Sequence, residues 1–509
     1  LLVTLAIAVI YFIFSTFSTG FYQHDEVAHF LNMQRFWYDP SAILGTWAKP
    51  GFKIAYVIPA YFGAKAVLIT NILFASFTAF FAGKIAEHFK IPFRVLVMVA
   101  TAFVPMFYQI AFRNYSEVIT GLVLSILMLS YVKEKYFWAA LSASYLFTLR
   151  QEMALIGMIL GLIFLLRKKY IYILVLATAP VLLNVFGWLS TGNPNFLLDQ
   201  LTGGGVDNYR QMGFFHLWTM FTPSVGVIST ALFLVGFLSF LNPISQFKAH
   251  LKTYHILYIS FLPVFLFWCV ITEPSFNIFK LSANLRQLVS LAPVAGVFVG
   301  LGFQNLSLKP KQNIAYVILA IYGLILFNSL SYEYNHVFFT DVKDYTKPAI
   351  FVIGIVGSIL LLRSGKISPK ILSFIVSALI IGHTIQQEKP YELNNEEVAV
   401  LDAAEFAKSK GLDKRNLQIS HTMFNYFLEL SPEDRYKKVV GGRQTVEEMS
   451  TLPKGTIVVW DSHYSYRSQS KNRKGTPLDF FQKNSNFRAL YQKKSSDQRF
   501  FIAILEKLN

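Results

Sequence analysis

The sequence predicts a polytopic α-helical membrane protein that ends in a soluble α/β domain. Of its 509 residues, 54% are hydrophobic, and apolar runs long enough for a helix to cross a bilayer recur along most of the chain. Only 15% of the residues are charged, whereas soluble globular proteins are about a quarter charged. The apolar runs stop near residue 390, where the composition becomes polar. We therefore expect a multi-spanning domain over 1–390 and a second domain over 391–509.

About thirteen membrane spans are expected. The first covers Leu1 to about Thr19 and lacks a small-residue cleavage site, so it is predicted to be a retained helix rather than a signal peptide. The others are predicted at 64–83, 95–112, 117–132, 136–149, 153–166, 170–190, 223–242, 255–272, 287–303, 314–331, 348–362 and 371–387. Because the expected number is odd, the two ends of the chain are predicted on opposite sides of the membrane.

Short basic loops orient these spans. They contain Lys84/Lys90/Arg94, Lys133/Lys135, Arg167/Lys168/Lys169, Lys248/Lys252, Lys309/Lys311 and Arg363/Lys366/Lys370. All of them fall on one face, which the positive-inside rule makes cytoplasmic. These loops and a basic tail account for the net charge of +17, so nucleic-acid binding is not expected. The prediction is an inner (cytoplasmic) membrane protein whose first loop, 20–63, and last domain, 391–509, are extracytoplasmic.

Titratable residues are concentrated at the start of the first outer loop, whose other residues are aromatic enough for short helices in the membrane interface. His24, Asp25, Glu26 and His29 come directly after the first span. Such residues are costly at the end of a membrane helix unless they have a use, although a solvated loop end is the ordinary alternative. Asp25 and His29 are one helical turn apart and could bind a divalent cation, Mg²⁺ or Mn²⁺. The zinc-protease motif requires histidine at both of those positions, so a metalloprotease is not expected.

Three further groups of charges are predicted on the same outer face. They are Arg113 with Glu117, Arg150 with Glu152, and Lys280 with Arg286. Arg113 and Glu117 are spaced i, i+4, so on a helix they would share one face and could pair. Such pairs often only hold helix ends together. Taken together, however, several fixed cations and a carboxylate suit a reaction in which a phosphate leaves and a hydroxyl attacks. The carboxylate takes the proton, and the guanidinium groups bind the phosphate.

The C-terminal domain is predicted to be an α/β fold with a small core of its own. An amphipathic helix is expected over Glu396–Lys410, followed by strands at Leu417–Ser420, Thr456–Trp460, Phe487–Tyr491 and Phe500–Leu505. The sequence contains neither a glycine-rich phosphate loop nor a dinucleotide-binding fingerprint in this region. We therefore expect the domain to position an acceptor, by analogy with other soluble domains that lack catalytic motifs.

With these residues identified, the chain resembles the C-type superfamily of membrane glycosyltransferases, especially mannosyltransferase-like members that use polyprenyl-phosphate sugars. Three short motifs carry the resemblance. They are His24-Asp25-Glu26 in the first outer loop, Arg150 with Glu152 within Leu149–Leu155, and Arg286 within Asn284–Pro293. Two positions depart from the family pattern: Gln151 replaces a proline, and Asn284-Leu285 replaces an acidic residue before the late arginine.

The resemblance implies that one hexose, mannose in the members it most resembles, is transferred with inversion from a polyprenyl-phosphate donor to a hydroxyl acceptor. The acceptor is a lipid, a glycan or a protein, and membrane lipids surround the enzyme. Asp25 is then the general base, and Glu26 orients the acceptor or a metal ion. The donor phosphate is assigned to Arg113, Arg150, Arg286 and Lys280. The remaining site candidates are His24, His29, Glu117 and Glu152.

Two other classes of function stay open from the sequence. A transporter or lipid flippase also holds charges within the membrane, but it is expected to show internal repeats or broken helices in matching halves. Neither feature is found in the sequence. A non-catalytic membrane scaffold that presents the C-terminal domain would tolerate alanine at Asp25 and Arg286.

Overall fold

A computed structural model describes residues 1–18, 24–44, 49–202, 213–241, 246–273, 285–308, 313–329, 332–335, 338–343, 353, 357, 361, 364, 366–388, 390–441, 445–465 and 475–509. Lys280 and most of the predicted span at 348–362 lie outside the described residues. The chain divides into two compact units. The first consists of Leu1–Phe14, Leu44–Phe52 and Leu68–Lys389, and the second of Ser15–Ile43, Lys53–Val67 and Pro390–Asn509.

Helices dominate the chain up to residue 388. They are α1 (Leu2–Thr16), α2 (His24–Arg35), α3 (Pro50–Tyr61), α4 (Ala64–His88), α5 (Arg94–Ala102), α6 (Pro105–Ile110), α7 (Ser116–Val132), α8 (Tyr136–Leu149), α9 (Ala154–Leu166), α10 (Tyr170–Thr191), α11 (Phe196–Thr202), α12 (His216–Thr219), α13 (Phe221–Val225), α14 (Val227–Phe237), α15 (Phe247–Thr272), α16 (Ala292–Leu308), α17 (Asn313–Ser329) and α18 (Pro369–Gln387). Short 3₁₀ helices cover Pro40–Ile43, Gln151–Met153, Leu238–Leu241 and Leu285–Leu291. A two-stranded antiparallel hairpin joins β1 (Tyr332–Asn335) to β2 (Phe338–Lys343).

The apolar helices make the chain an integral membrane protein, as the sequence predicts. Helices α7 to α10 match four predicted spans to within a residue at each end. Five segments of the described residues are long and apolar enough to cross a membrane: Ala64–His88, Tyr170–Thr191, Phe247–Thr272, Arg286–Ser307 and Pro369–Gln387. Other apolar helices are shorter, so the total of about thirteen spans stays a prediction.

Two of the predicted spans are each broken into two helices. The span predicted at 95–112 is interrupted between α5 and α6 because Pro105 has no amide hydrogen to continue the first helix. The span predicted at 223–242 is interrupted between α13 and α14 at Gly226, whose φ of 90° is one that glycine adopts without strain. Both breaks arise from single residues, whereas the apolar pattern runs on through them.

Three of the predicted basic loops use the same tight turn. Lys90, Glu134 and Lys168 have φ angles of 56°, 58° and 57°, the left-handed conformation that usually selects glycine after a helix. In each turn the next amide donates to the carbonyl five residues earlier, at 2.9, 2.8 and 2.8 Å. These hydrogen bonds define a Schellman motif. The loops therefore keep charged residues where a soluble protein would usually carry glycine.

Glycines allow α14 and α16 to pack closely. A Cβ atom on Gly302 would clash with the carbonyl oxygen of Leu232, and one on Gly236 would clash with that of Phe298. Small residues commonly allow membrane helices to approach in this way, because packing replaces the hydrophobic effect as the source of association. Since α16 begins just after Leu285–Leu291, this packing fixes the segment that carries Arg286.

The second unit contains a five-stranded mixed sheet in the order β4-β3-β5-β7-β6. Its elements are α19 (Asn395–Ser409), β3 (Leu417–Ile419), α20 (Thr422–Phe427), α21 (Pro432–Lys438), β4 (Val439–Gly441), α22 (Val446–Ser450), β5 (Ile457–Asp461), α23 (Leu478–Lys483), β6 (Phe487–Lys494) and β7 (Phe501–Lys507). A 3₁₀ turn covers Leu412–Lys414. Strand β5 is central and buried throughout, with β3 parallel to it and β7 antiparallel. The predicted helix and all four predicted strands are confirmed to within a few residues.

Segments of the first loop complete this unit. The ring of Phe30 in α2 lies 5.9 Å from that of Tyr426 in α20, and Tyr38 stacks on Tyr436 at 5.2 Å. Trp37 donates its indole N–H to the carbonyl of Val57 at 3.0 Å. The aromatic side chains that the sequence suggested for the membrane interface therefore also hold α2 against the C-terminal domain.

Candidate functional site

The first unit collects charged side chains from separate chain segments into one group. We call Lys49, Glu117, Arg150, Glu152 and Arg286 the arginine cluster. One oxygen of Glu117, Oε1, accepts hydrogen bonds from Arg150 Nη1 at 2.7 Å and from Arg286 Nε at 3.1 Å. Arg150 Nε donates to Glu152 at 2.5 Å. Glu117 and Arg150 are buried, so their charges are stabilised mainly by each other.

Helix ends position the members of the arginine cluster. Glu117 lies in the first turn of α7, where the unpaired amides of the helix favour a carboxylate. Arg150 ends α8, and Glu152 lies in the 3₁₀ turn that follows. Arg286 lies in the 3₁₀ segment before α16. The cluster is therefore at the end of α7 opposite the basic turn between α7 and α8.

The i, i+4 spacing that suggested a pair between Arg113 and Glu117 does not lie on one helix. Arg113 precedes α7, which begins at Ser116, and so the helical spacing does not apply to it. Its guanidinium instead lies 5.3 Å from the ring centre of Tyr115, and the guanidinium of Arg286 lies 4.1 Å from the same ring. Asn71 fixes this connection by donating to the carbonyl of Arg113 at 2.6 Å.

Lys49 is a member of the cluster that sequence reasoning missed. It precedes α3, and Tyr145 holds this segment by donating its hydroxyl to the carbonyl of Gly51 at 2.6 Å. Burial lowers the pKa of Lys49 to about 8, and repulsion from Arg150 adds to the effect. A lone lysine before a proline has no pattern that could have identified it, because its setting depends on contacts between distant segments.

A cavity of about 100 Å³ adjoins the arginine cluster. One part of its wall is charged, with Lys49, Arg150 and Glu152, and another part is apolar, with Leu183 and Phe196. Leu183 belongs to α10, and only 6% of the apolar window of that helix is buried, as expected of a helix that faces lipid. The wall of the cavity therefore places cationic and apolar side chains next to each other.

The acidic residues of the first loop belong to the second unit. His24, Asp25, Glu26 and His29 all lie in the first turns of α2, where Glu26 and His29 are buried and Asp25 is partly exposed. Within the described ranges, no group of three or more His, Cys, Asp or Glu side chains is arranged to hold a metal ion. Asp25 and His29 alone supply at most two ligands from one helical face.

A second charged group in this unit was not predicted. We call His24, Glu396, His421, His463 and Tyr464 the histidine cluster. Oε1 of Glu396 accepts from His421 Nε2 at 3.0 Å and from His463 Nδ1 at 2.9 Å. These two hydrogen bonds lower the pKa of Glu396 to about 2 despite its partial burial. His24 joins the group from α2, since its ring stacks on Tyr464 at 4.2 Å.

The turn after β5 presents two members of the histidine cluster. Asp461 is fully buried at the end of the strand. Its carboxylate accepts from the backbone amides of His463 at 3.0 Å and Tyr464 at 2.5 Å. Ser465 also donates its hydroxyl to Asp461 at 3.0 Å. This side chain replaces the missing backbone partners of a tight turn, and so the two rings are held in fixed positions.

Comparisons with known proteins identify the fold. ArnT from Cupriavidus metallidurans, in a crystal structure bound to undecaprenyl phosphate, superposes with a TM-score of 0.61 over 99% of this chain and 97% of that chain, at 13% sequence identity. The apo structure of the same protein gives a TM-score of 0.59 with the same coverage, at 14% identity. The chain has the ArnT fold. No protein-family model matches the sequence, and no curated protein does.

The ArnT fold agrees with the architecture that the sequence resemblance implies, a helical membrane domain followed by a C-terminal α/β domain. The likeness extends over nearly the whole of both chains, so it includes the helical part and the C-terminal domain alike. At this sequence identity it shows the fold and not the reaction.

Proposed function

We propose that the protein is a membrane glycosyltransferase that moves a sugar from a polyprenyl-phosphate-linked donor to a hydroxyl acceptor at the extracytoplasmic face. The observation that carries this proposal is the arginine cluster beside a cavity with an apolar wall. Three cations and two carboxylates form the cluster, so it retains a net positive charge for a phosphate when Lys49 is protonated. ArnT, which has the same fold, is described in complex with undecaprenyl phosphate, a lipid of this class.

In the proposed reaction, the acceptor oxygen attacks the anomeric carbon and the bond from that carbon to the phosphate oxygen breaks. Asp25 takes the proton of the acceptor hydroxyl, and the polyprenyl phosphate leaves with both electrons of the broken bond. A single displacement of this kind inverts the anomeric centre. Arg150, Arg286 and Lys49 stabilise the charge that develops on the leaving phosphate. Arg113 and Lys280 remain proposed phosphate ligands, and mannose remains the proposed sugar.

Binding of undecaprenyl phosphate tests the proposal directly. Arg286→Gln should weaken binding about 10- to 100-fold, because a charge-assisted hydrogen bond to a phosphate contributes about 1.5–3 kcal/mol. Native mass spectrometry of the full chain would measure the affinity. Arg286 is chosen because its guanidinium is partly exposed, whereas Arg150 is buried between two carboxylates.

Arg94→Gln is the matched control for this experiment. Arg94 is also paired with a glutamate, Glu87 at 3.1 Å, but lies in a predicted cytoplasmic loop. The Arg94→Gln variant should bind undecaprenyl phosphate as tightly as the wild type does. Equal affinities of Arg286→Gln and the wild type would remove the donor phosphate from the arginine cluster.

The proposed base is tested separately by Asp25→Asn, which keeps the size of the side chain but cannot accept the proton. General-base catalysis contributes about 10²- to 10⁴-fold in rate, so turnover should fall by that factor while binding of undecaprenyl phosphate is retained. Sugar transfer from a radiolabelled polyprenyl-phosphate donor would be the readout. Turnover close to that of the wild type would exclude Asp25 as the base.

A divalent cation, Mg²⁺ or Mn²⁺, is a further part of the proposal. Asp25 and His29 would supply two ligands, and substrate oxygens and water would supply the others, as is common for Mg²⁺. Glu26 would then orient the acceptor or support the ion. If the ion takes part, EDTA lowers turnover and added Mg²⁺ or Mn²⁺ restores it. Unchanged turnover in EDTA would remove the ion from the mechanism.

A further inference from the structure

The second unit contains a large polar cavity that neither the arginine cluster nor the proposed chemistry uses. Its volume is about 460 Å³, within the range of small-molecule sites. It lies between α2 on one side and β3, α20, α21 and β4 on the other. Its wall includes Asn32, Arg35, His421, Thr422, Asn425 and Arg435. Amides, a hydroxyl and cations are the groups that bind a hydroxyl-rich, anionic molecule.

Arg435 is the residue of this wall that points to an anionic ligand. Its Nε donates to the amide oxygen of Asn425 at 3.0 Å, and its Nη1 donates to the amide oxygen of Gln34. In the part of the chain that the structure describes, no carboxylate pairs with it. Burial lowers the pKa of Arg435 to about 10, which reflects the cost of keeping the charge without a counter-ion. An anionic ligand in the cavity would supply that counter-ion.

Gln34 and Asn425 hold Arg435 in place. The amide of Gln34 is bound at both ends, since its Nε2 also donates to the carbonyl of Ala60 at 3.0 Å. Gln34 is buried, and so the guanidinium is fixed between α2 and α20 rather than free to turn into solvent. Preorganised arginine forks of this kind match the oxygens of phosphate or carboxylate groups.

His421 adds a second unused group to the same wall. Its Nε2 faces the carboxylate of Glu396, which can only accept, so this nitrogen carries the hydrogen. In the neutral ring, Nδ1 is then an acceptor, and it is buried without a hydrogen-bond partner in the ranges that the structure describes. We assign a hydroxyl of the ligand to this nitrogen, because His421 is part of the cavity wall. With that assignment, the wall supplies a counter-ion for an anionic group and an acceptor for a hydroxyl.

We propose that this cavity binds a saccharide that carries a phosphate or a carboxylate group. Arg435 binds the anionic group, and His421 accepts from a hydroxyl of the ring. The further assignment of this saccharide as the acceptor, or the anionic part of the acceptor, rests on the proposed function. The binding site itself is independent of the proposed function, because all the residues that support it belong to the second unit.

Isothermal titration of the full chain in detergent tests the site with four probes: glucose 1-phosphate, glucuronate, glucose and inorganic phosphate. Glucose 1-phosphate or glucuronate should bind at least 10-fold more tightly than both glucose and inorganic phosphate, and the tighter of the two identifies the anionic group. Arg435→Gln should weaken that binding about 10- to 100-fold. The proposal is overturned if no probe binds, or if glucose or inorganic phosphate binds as tightly as the anionic sugars.

Three further variants test whether the probe binds in this cavity. Arg415→Gln removes an arginine of the same unit that pairs with Glu506 at 2.8 Å and does not line the cavity, so it should bind like the wild type. Arg435→Lys retains the charge and should keep most of the affinity. Ala28→Phe narrows the cavity and should abolish binding, and its melting temperature would show whether the variant is folded. Full binding by Ala28→Phe or Arg435→Gln would place the probe elsewhere.

Undecaprenyl phosphate binding, measured on the same samples, separates this inference from the proposed function. Arg435→Gln should leave it unchanged. If undecaprenyl phosphate fails to bind while the anionic sugar binds through Arg435, the proposed function fails and the saccharide site stands. If the lipid binds and the sugar does not, the saccharide site fails alone.

Discussion

Glu117 and Glu396 use one geometry in two different environments. Each carboxylate directs a single oxygen, Oε1, at two donors from distant segments, with distances of 2.7 and 3.1 Å for Glu117 and 3.0 and 2.9 Å for Glu396. The donors of Glu117 are arginines, which stay charged at any pH that proteins tolerate. Those of Glu396 are histidines, the residue type whose charge changes near neutral pH.

Burial separates the two carboxylates further. Glu117 is fully buried, whereas the side chain of Glu396 is 29% exposed. Water screens an exposed pair, but it cannot replace a partner that is lost from a buried one. The first arrangement is therefore a permanent framework that keeps arginines in place. In the second arrangement, water can take the place of a lost partner because Glu396 is partly exposed.

The largest effect is expected for Glu117→Gln. This change removes the central carboxylate and leaves Arg150 and Arg286 close together with less compensation, and breaking a buried ion pair costs about 3–5 kcal/mol. The free energy of unfolding of the full chain in detergent would measure it. Glu87→Gln is the matched control, since the Oε2 atom of Glu87 also pairs with two cations, at 2.9 and 3.1 Å, but is 54% exposed. The control should lose less than about 1 kcal/mol, and equal losses would contradict the distinction.

A smaller and pH-dependent effect is expected for Glu396→Gln. At neutral pH the second unit should lose about 1–2 kcal/mol, because two hydrogen bonds to a charged acceptor are weakened. The folded-state pKa of about 2 lies below that of an unfolded glutamate, about 4.3. The stabilisation is therefore present above pH 4.3 and is lost as the pH falls towards 2.

Hydrogen exchange of the amides in β3 and α20 would follow this loss for Glu396→Gln. The wild type should lose more protection than the variant between about pH 5 and pH 3. Glu405→Gln, on the exposed face of the same helix α19, should behave like the wild type. Parallel pH profiles for the wild type and Glu396→Gln would show that the carboxylate does not stabilise the unit.

The smallest effect on affinity is expected for Lys49. This residue lies beside Glu117 and Arg150, and its charge changes with pH, whereas that of the arginines does not. With a pKa of about 8, Lys49 loses its charge as the pH rises, and binding of undecaprenyl phosphate should weaken by about 10-fold between pH 7.5 and 9.5. The phosphate is doubly charged throughout this range, since its second pKa is about 6. Lys49→Arg keeps its charge and should flatten the profile, and a profile unchanged by this substitution would remove Lys49 from the phosphate site.

Local patterns in the sequence predicted the helices well and the contacts between them poorly. The ends of α7 to α10 followed from apolar runs bounded by basic residues. The breaks at Pro105 and Gly226 were visible as residues, but a single proline or glycine does not reveal whether neighbouring helices can satisfy the backbone. Glu117 finds its two arginines 33 and 169 positions away, and only the packed fold determines such pairs.

In the second unit, too, the sequence predicted the secondary structure better than the contacts. Its strands followed from short apolar segments between polar turns. Arg435 gave no signal in the sequence, because its importance lies in what surrounds it: two neutral amides and a cavity. The charged residues that spacing did indicate, such as Asp25 and His29, are neighbours on one helix, where local geometry is enough.

The second unit consists of three segments that are far apart in the chain, and this separation affects its synthesis. Its first two segments, Ser15–Ile43 and Lys53–Val67, are synthesised long before its third, Pro390–Asn509. At about 5–20 residues per second, the ribosome needs on the order of tens of seconds to reach the third segment. Until then α2 lacks the strands and helices against which Phe30 and Tyr38 pack. The surroundings of α2 are therefore complete only when the third segment has been translated.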